Sequence, residues 1–326
     1  MQRGVIVGCG AMGKCHGEAY SKIENAKIIA VVDTDRAKGE ALAEQLHCKW
    51  VASLEELKQE QVDFVDICLP TFLHLPAIRE AAELTDKIIC EKPLAVKKEE
   101  IEEAISLIRE KNLKLMVAHV LRFFEGYVKT KELIEDGTLG AINSISCTRR
   151  QKMPAWSGNN WFANTALSGG LVFDLLIHDL DYVVWMLGKP KAVMGHLTYS
   201  ESKSPAHVKV QLHYENCTAD MVASWGMPRG FAEGGLCSSL EVIGENAMVY
   251  SDNAGSFVLT DHEGAKECPM EGYDGYEAEL RYFVECCEQG TSPEKVRVDS
   301  VEVSLEVAHA VSRSIEEQKI IRLDKE

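Results

Sequence analysis

The chain has 326 residues, about two ordinary domains of roughly 150 each, and its 46% apolar and 26% charged residues are the balance of a folded globular protein. A formal charge of -16 argues against a polyanion as the main partner, because nucleic-acid binding depends on clustered Lys and Arg. No apolar run approaches the ~20 residues that cross a bilayer, and Met1 leads straight into "QRGVIV" with no room for a signal peptide, so no membrane association and a cytoplasmic location are expected.

In chain order, the first 120 or so residues alternate strand and helix signals. The segments "RGVIVG", "AKIIAVVD", "VDFVDICLP", "DKIICEKP" and "LKLMVAHV" are too continuously apolar for a half-exposed sheet. Between them, Ser53 with Glu56 spells a capping box, Pro76 suits a helix's first turn, and "KKEEIEEAISLIREKN" gathers acids where a helix dipole favours them. This rhythm predicts a doubly wound parallel sheet, an α/β Rossmann-type domain spanning 1–122. From residue 123 to 326 the pattern is α+β. One helical stretch, "GGLVFDLLIHDLDYVVWMLG", precedes strands "KAVMGHLTYS", "AHVKVQLHYEN", "CTADMVASWGM", "SSLEVIGENAMVYSD" and "GSFVLTD", and two helices end the chain. Alternation in "HVKVQLHYE" marks an antiparallel sheet with one face open. Eleven cysteines without a C-x-x-C pair suit reduced thiols, Cys286 and Cys287 reading as helix packing, and no metal-ligand constellation is visible.

The stretch "VIVGCGAMGKCH" carries Gly8, Gly10 and Gly13 in a G-x-G-x-x-G pattern behind a strand, with Asp33 closing the next strand. In that context Gly8 permits a tight turn, Gly10 lets a pyrophosphate approach, and Gly13 allows helix and strand to pack closely. Ala11 and Met12 complete the first helical turn, whose positive end attracts phosphate. Asp33 would accept from ribose hydroxyls and repel a 2′-phosphate, favouring NAD, while Arg36 nearby leaves NADP open. His16, behind the loop, reads as structural.

At "CEKPLA" and "SGGLVFDLLIHDLDYVVWMLG" the sequence resembles the Gfo/Idh/MocA oxidoreductases, named for glucose-fructose oxidoreductase and inositol dehydrogenase. The resemblance extends over "LPTFLH" and "VLRFF" to nearly the whole chain. It implies a Rossmann domain, then an α+β domain whose large, mostly antiparallel sheet forms dimer or tetramer contacts. It also implies NAD(P)-dependent dehydrogenation of a sugar, an inositol-like cyclitol or a related polyol. The family's catalytic positions fall on Lys92, Asp174 and His178, with the Lys92–Pro93 bond cis. Spacing supports the last two independently, since residues four apart share a helix face, which Asp181 joins three further on. Lys92 closes a strand at the edge where open α/β sheets bind ligands.

As the mechanism implied, His178 takes the hydroxyl proton while hydride leaves carbon, Lys92 stabilises the developing alkoxide, and Asp174 orients hydroxyls and sets the imidazole tautomer. By the same resemblance Thr71, His74, Glu91 and Lys92 belong to the cofactor site, Thr71 and His74 at its nicotinamide end, with His74 open equally to a role as a hydrogen-bonding residue at a helix start. Arg122 at the crossing is either a substrate contact or one half of an ordinary salt bridge. Trp156 and Trp161 in "RRQKMPAWSGNNWF" are either sugar-stacking faces or packing, and in a pocket Arg149, Arg150 and Lys152 would meet a phosphate or nucleotide-sugar. Two other readings stay open: reduction of a keto sugar or nucleotide-linked sugar by the same residues, and a dinucleotide-sensing regulator without turnover.

Overall fold

The Val- and Ile-rich segments of the first third pair as their composition predicts. The computed structural model describes residues 1–154, 161, 162, 164–201, 203–228, 230, 231 and 235–324. Strands β1 (Gln2–Val7), β2 (Ala26–Val32), β3 (Lys49–Val51), β4 (Phe64–Ile67), β5 (Lys87–Glu91) and β6 (Lys114–Ala118) form one sheet in the order β3-β2-β1-β4-β5-β6. Every pair is parallel. The order reverses between β1 and β4, the switch point outside which doubly wound sheets bind nucleotides. Consecutive residues Val5 and Ile6, Phe64 and Val65, and Ile88 and Ile89 are all buried, so both faces of this sheet are covered.

Helices α1 (Ala11–Tyr20), α2 (Arg36–Leu46), α3 (His74–Ala81) and α4 (Lys98–Glu110) join these strands. Pro76 falls in the first turn of α3, and Glu99 and Glu100 in that of α4. Ser53 and Glu56 do form the reciprocal cap, yet it opens only the four-residue 3-10 turn Leu54–Leu57. Leu54 and Leu57 are its buried residues, and the polar "KQEQ" that follows supplies no second apolar turn.

The second sheet is built from β7 (Ile142–Gln151), β8 (Ala192–Tyr199), β9 (Pro205–His213), β10 (Thr218–Ser224), β11 (Leu236–Gly244), β12 (Met248–Asp252), β13 (Phe257–Asp261), β14 (Gly264–Glu267) and β15 (Ile321–Arg322). Their order is β14-β13-β12-β11-β7-β10-β9-β8-β15, antiparallel except where β7 runs beside β10. Val208, Val210 and Leu212 of β9 are fully buried while Lys209 between them is exposed, the period of a sheet covered on one side. Helices α5 (Glu125–Glu135), α6 (Thr165–Ser168), α7 (Ile177–Leu187), α8 (Gly275–Gln289) and α9 (Val298–Glu317) complete the fold.

One compact unit is Met1–Phe123 with Asp274–Glu302, the other Phe124–Tyr273 with Val303–Glu326. This corrects the division at 122/123 into two continuous pieces. Leu280, Phe283 and Val284 of α8 are at most 1% exposed, and Phe283 meets Phe64 of β4 edge-on with ring centres 5.9 Å apart. That apolar helix face covers the first sheet, so the chain returns to the first unit late. Among the described residues no helix is long and apolar enough to cross a membrane.

Candidate active site

The three glycines each have a separate physical reason. Gly8 holds φ +99°, and a Cβ there would stand 2.7 Å from the Cys68 carbonyl. A Cβ on Gly13 would sit 1.9 Å from the Gly8 carbonyl oxygen, so the helix presses directly on the loop. Gly10 is different: it is exposed, its φ of -77° suits any residue, and a Cβ would meet nothing within 4 Å. It is the N-cap of α1 and offers no side-chain cap, leaving the first-turn amides of Ala11 and Met12 open to an anion.

Asp33 lies beside this loop. Its Oδ2 accepts from the Cys9 amide at 2.8 Å and its Oδ1 from the Asp35 amide at 2.8 Å. Each carboxylate oxygen has two lone pairs, so both retain capacity for a ribose hydroxyl. Arg36 is turned to Glu40 at 2.8 Å and lies over the Trp50 ring, with its guanidinium carbon 5.4 Å from the ring centre. A dinucleotide diphosphate therefore fits the loop and its ribose fits Asp33.

The E-K-P segment is held by buried histidines of the same unit. His16, on the inner face of α1, is fully buried. Its Nδ1 donates to Asp66 Oδ2 at 2.8 Å, and its Nε2 lies 3.2 Å from Glu91 Oε1, an ion-pair contact rather than an aligned hydrogen bond. Burial alone would discharge this imidazole, but the Asp66 charge and hydrogen bond outweigh it and hold its pKa well above the usual 6.5. Cys68 Sγ stands 3.4 Å from the same Nδ1, and burial pushes its own pKa well up. His16, Asp66 and Cys68 have a spacing that would suit a metal ion. The direct Nδ1–Oδ2 hydrogen bond instead marks a proton-mediated pair.

Glu91 also pays desolvation, yet its pairing with His16 and with Lys92 keeps it below the ordinary carboxylate value. Its Oε2 accepts from the Lys92 backbone amide at 3.0 Å. Glu91, expected in the cofactor site, has one carboxylate oxygen against His16 and the other on the Lys92 amide. The Lys92–Pro93 bond is cis. Thr71, in the 3-10 turn Thr71–Leu73, is buried, and so is His74. His74 faces two carbonyls, Nδ1 to Pro93 O at 2.9 Å and Nε2 to Leu69 O at 2.8 Å. Burial lowers its pKa despite them, so the neutral ring donates to one at a time. With both nitrogens engaged, His74 braces the loops instead of offering a polar atom to the nicotinamide.

In the second unit the "DLLIH" stretch departs from a plain α-helix. Val172–Leu176 is a π-helical turn leading into α7, which widens the backbone around Asp174; such turns are frequent at functional sites. Asp174 is 9% exposed and His178 is half-buried. Asp181, expected on their face, is fully buried and accepts from Ser304 Oγ at 2.9 Å, because this part of α7 packs against α9.

Arg149 is no phosphate contact. It is 4% exposed and grips Asp179 through Nε at 2.9 Å and Nη2 at 2.8 Å, with Tyr127 Oη accepting from Nη2 at 3.0 Å. Arg122 also turns inward, 1% exposed, donating from Nη1 to Lys295 O at 2.9 Å and Ser300 Oγ at 3.1 Å within the first unit. A guanidinium so enclosed is a brace, which corrects its reading as a substrate contact. Trp161 stacks on Phe162 at 4.1 Å, and Trp156 lies outside the described residues. Sequence alone singles out neither Asp66 nor Asp179, and it marks His16 as structural without showing its partners Asp66 and Glu91. An acid inside the apolar run "VDFVDICLP" was the visible signal for Asp66.

A glycine loop on a doubly wound sheet, followed by an open-faced sheet, defines an NAD-binding oxidoreductase architecture. Residues 2–119 match the family described as "Oxidoreductase family, NAD-binding Rossmann fold", and residues 127–250 match the "GFO/IDH/MocA C-terminal domain". The chain belongs to the GFO/IDH/MocA family of oxidoreductases. It is 28% identical over 306 residues to the uncharacterized oxidoreductase YrbE of Bacillus subtilis (strain 168), covering 89% of this chain and 86% of that one. It is 25% identical over 333 residues to inositol 2-dehydrogenase of Rhizobium meliloti (strain 1021), covering 98% of both. Its fold is that of an oxidoreductase from Agrobacterium radiobacter solved with NAD+, L-tartaric acid and magnesium, at TM-score 0.85, 18% identity and 98% coverage of each chain.

Proposed function

We propose that the protein is an NAD-dependent dehydrogenase of a polyol, with an inositol-like cyclitol or a sugar as substrate. The observation that carries the cofactor assignment is Gly10, the one glycine of the motif with no neighbour inside the protein to exclude a side chain. A glycine there has its reason in a phosphate that comes close to the backbone. Gly8, Gly10, Ala11, Met12 and Gly13 would hold the diphosphate and Asp33 the adenosine ribose. Asp33 and Asp35 together disfavour a 2′-phosphate, and Arg36 is already committed to Glu40, which supports NAD over NADP. NAD, when bound, supplies the acceptor for the substrate's hydride.

The chain's own residues supply the proton chemistry. His178 withdraws the proton from the reacting hydroxyl, a contribution of about 10² to 10⁴ in rate for a placed base. Lys92 sets a cation beside the oxygen as negative charge develops there. Asp174 orients the neighbouring hydroxyls and favours one imidazole tautomer. Run in reverse, the same three residues reduce a keto group, with His178 as the acid. All eleven cysteines are free thiols, which supports a reducing, cytoplasmic setting. The open face of the second sheet exposes Met194, Ile243 and Tyr250, which supports homo-oligomer contacts there, as a dimer or tetramer.

The test follows the absorbance of reduced cofactor, with NAD or NADP, against inositols, aldoses, amino sugars and nucleotide sugars. Oxidation of a polyol with NAD is expected. Tight NAD binding with no turnover in either direction would favour a dinucleotide sensor.

A further inference from the structure

His16 is assigned by the sequence to the glycine helix and by nothing to catalysis, yet it is fully buried with both ring nitrogens against carboxylates. It comes from α1, and its ring bridges two acids on different strands: Asp66 in β4 at 2.8 Å and Glu91 at the end of β5 at 3.2 Å. Only the doubly protonated ring carries an N–H toward each of them. Glu91 then uses its second oxygen on the backbone amide of Lys92 at 3.0 Å. Beyond Lys92, the Pro93 carbonyl faces His74 at 2.9 Å. Lys92 is thus flanked by two residues, each tied to a buried histidine. The two oxygens of the Glu91 carboxylate are divided between the Lys92 amide and His16, which together fix its orientation.

We propose that His16 is a positioning residue for Lys92, acting through the Glu91 carboxylate, so that the helix carrying the cofactor loop also sets the reactive lysine. The idea rests on Lys92 being a reacting group, as assigned above. Coupling of this kind has a clear use: α1 begins at the glycine turn and carries His16 on its buried face, so the loop and the group that holds Glu91 share one helix. Displacement of a reacting group by about 1 Å is enough to cost ~10²-fold in rate.

The variants are His16→Gln, Glu91→Gln, the double variant, and Leu42→Ala as a lesion at a fully buried apolar residue of α2 in the same unit. Turnover of myo-inositol with NAD, or of whichever polyol the screen identifies, is measured beside NADH affinity. Each single variant is expected to lose about 10- to 100-fold in kcat with NADH affinity kept, and the double to lose no more than either. Leu42→Ala is expected to keep kcat. Additive losses, or an equal loss in Leu42→Ala, would overturn the proposal.

A second readout needs no turnover. Lysines are dimethylated with carbon-13 formaldehyde and the Lys92 signal is assigned by its disappearance in Lys92→Arg. A shift of that signal in His16→Gln and Glu91→Gln, absent in Leu42→Ala, supports the coupling even if the wild type oxidises no polyol, in which case the functional reading fails alone. An unmoved signal in both variants rejects the coupling. If His16→Gln does not fold, Glu91→Gln decides by the same two readouts.

Discussion

At the scale of single residues, Gly10 and Gly13 separate binding from folding. Gly10→Ala is expected to leave the melting temperature unchanged and to weaken NAD binding at least about tenfold, or ~1.4 kcal/mol, by titration. Gly13→Ala forces a methyl onto the Gly8 carbonyl and is expected to cost about 1–3 kcal/mol of stability in chemical denaturation. His16 and Glu91 make a signed prediction about pH. The His16 contribution is complete below its ordinary pKa of 6.5 and is lost as pH rises through its raised folded value. The Glu91 contribution is complete above 4.5 and is lost as pH falls through its lowered folded value. The stability difference between wild type and His16→Gln is therefore expected to peak between pH 4.5 and 6.5 and to shrink on either side. A difference that grew toward alkaline pH would refute the charged state. The glycines were legible in the sequence because motif spacing encodes backbone needs, whereas Lys92 entered through the family resemblance and its place at a strand end. The surroundings of Arg122, Arg149 and Asp181 were not legible, since their buried partners, a carbonyl and a hydroxyl, a carboxylate, and a hydroxyl in turn, lie far away in sequence.

At the scale of elements, β7 shows where periodicity was present and still missed. Its Ser, Thr and Arg residues give "INSISCTRRQ" a polar look, yet Ile145, Cys147 and Arg149 alternate inward and the strand lies fifth among the nine of its sheet. Arg149 on that inward face was the clue that it had a buried acid to meet. Arg149→Met leaves Asp179 enclosed without its cation and is expected to destabilise by about 3–5 kcal/mol in urea unfolding. Replacing both by apolar residues is expected to recover much of that loss. The π-helical turn at Val172–Leu176 was invisible for a different reason. Apolar residues on every side of "GGLVFDLLIHDL" fit an α- or π-helical backbone equally well, so the pattern fixes a helix without fixing its pitch.

At the scale of the whole molecule, the alternation of strand and helix foretold the first sheet and the one-sided periodicity foretold the second. The late return of α8 to the first unit escaped because an amphipathic helix advertises an apolar face and not the sheet that receives it. The proposed assembly through the open sheet predicts a solution mass of two or four chains by light scattering, and an Ile243→Glu variant that dissociates. A monomer at working concentration would contradict that assignment alone. The most direct test of the catalytic account pairs NADH affinity with turnover in Lys92→Ala and His178→Ala, on the polyol the wild type oxidises. NADH affinity near that of wild type with kcat reduced about 10²- to 10⁴-fold in each is the predicted result. Near-normal kcat in either variant would contradict it.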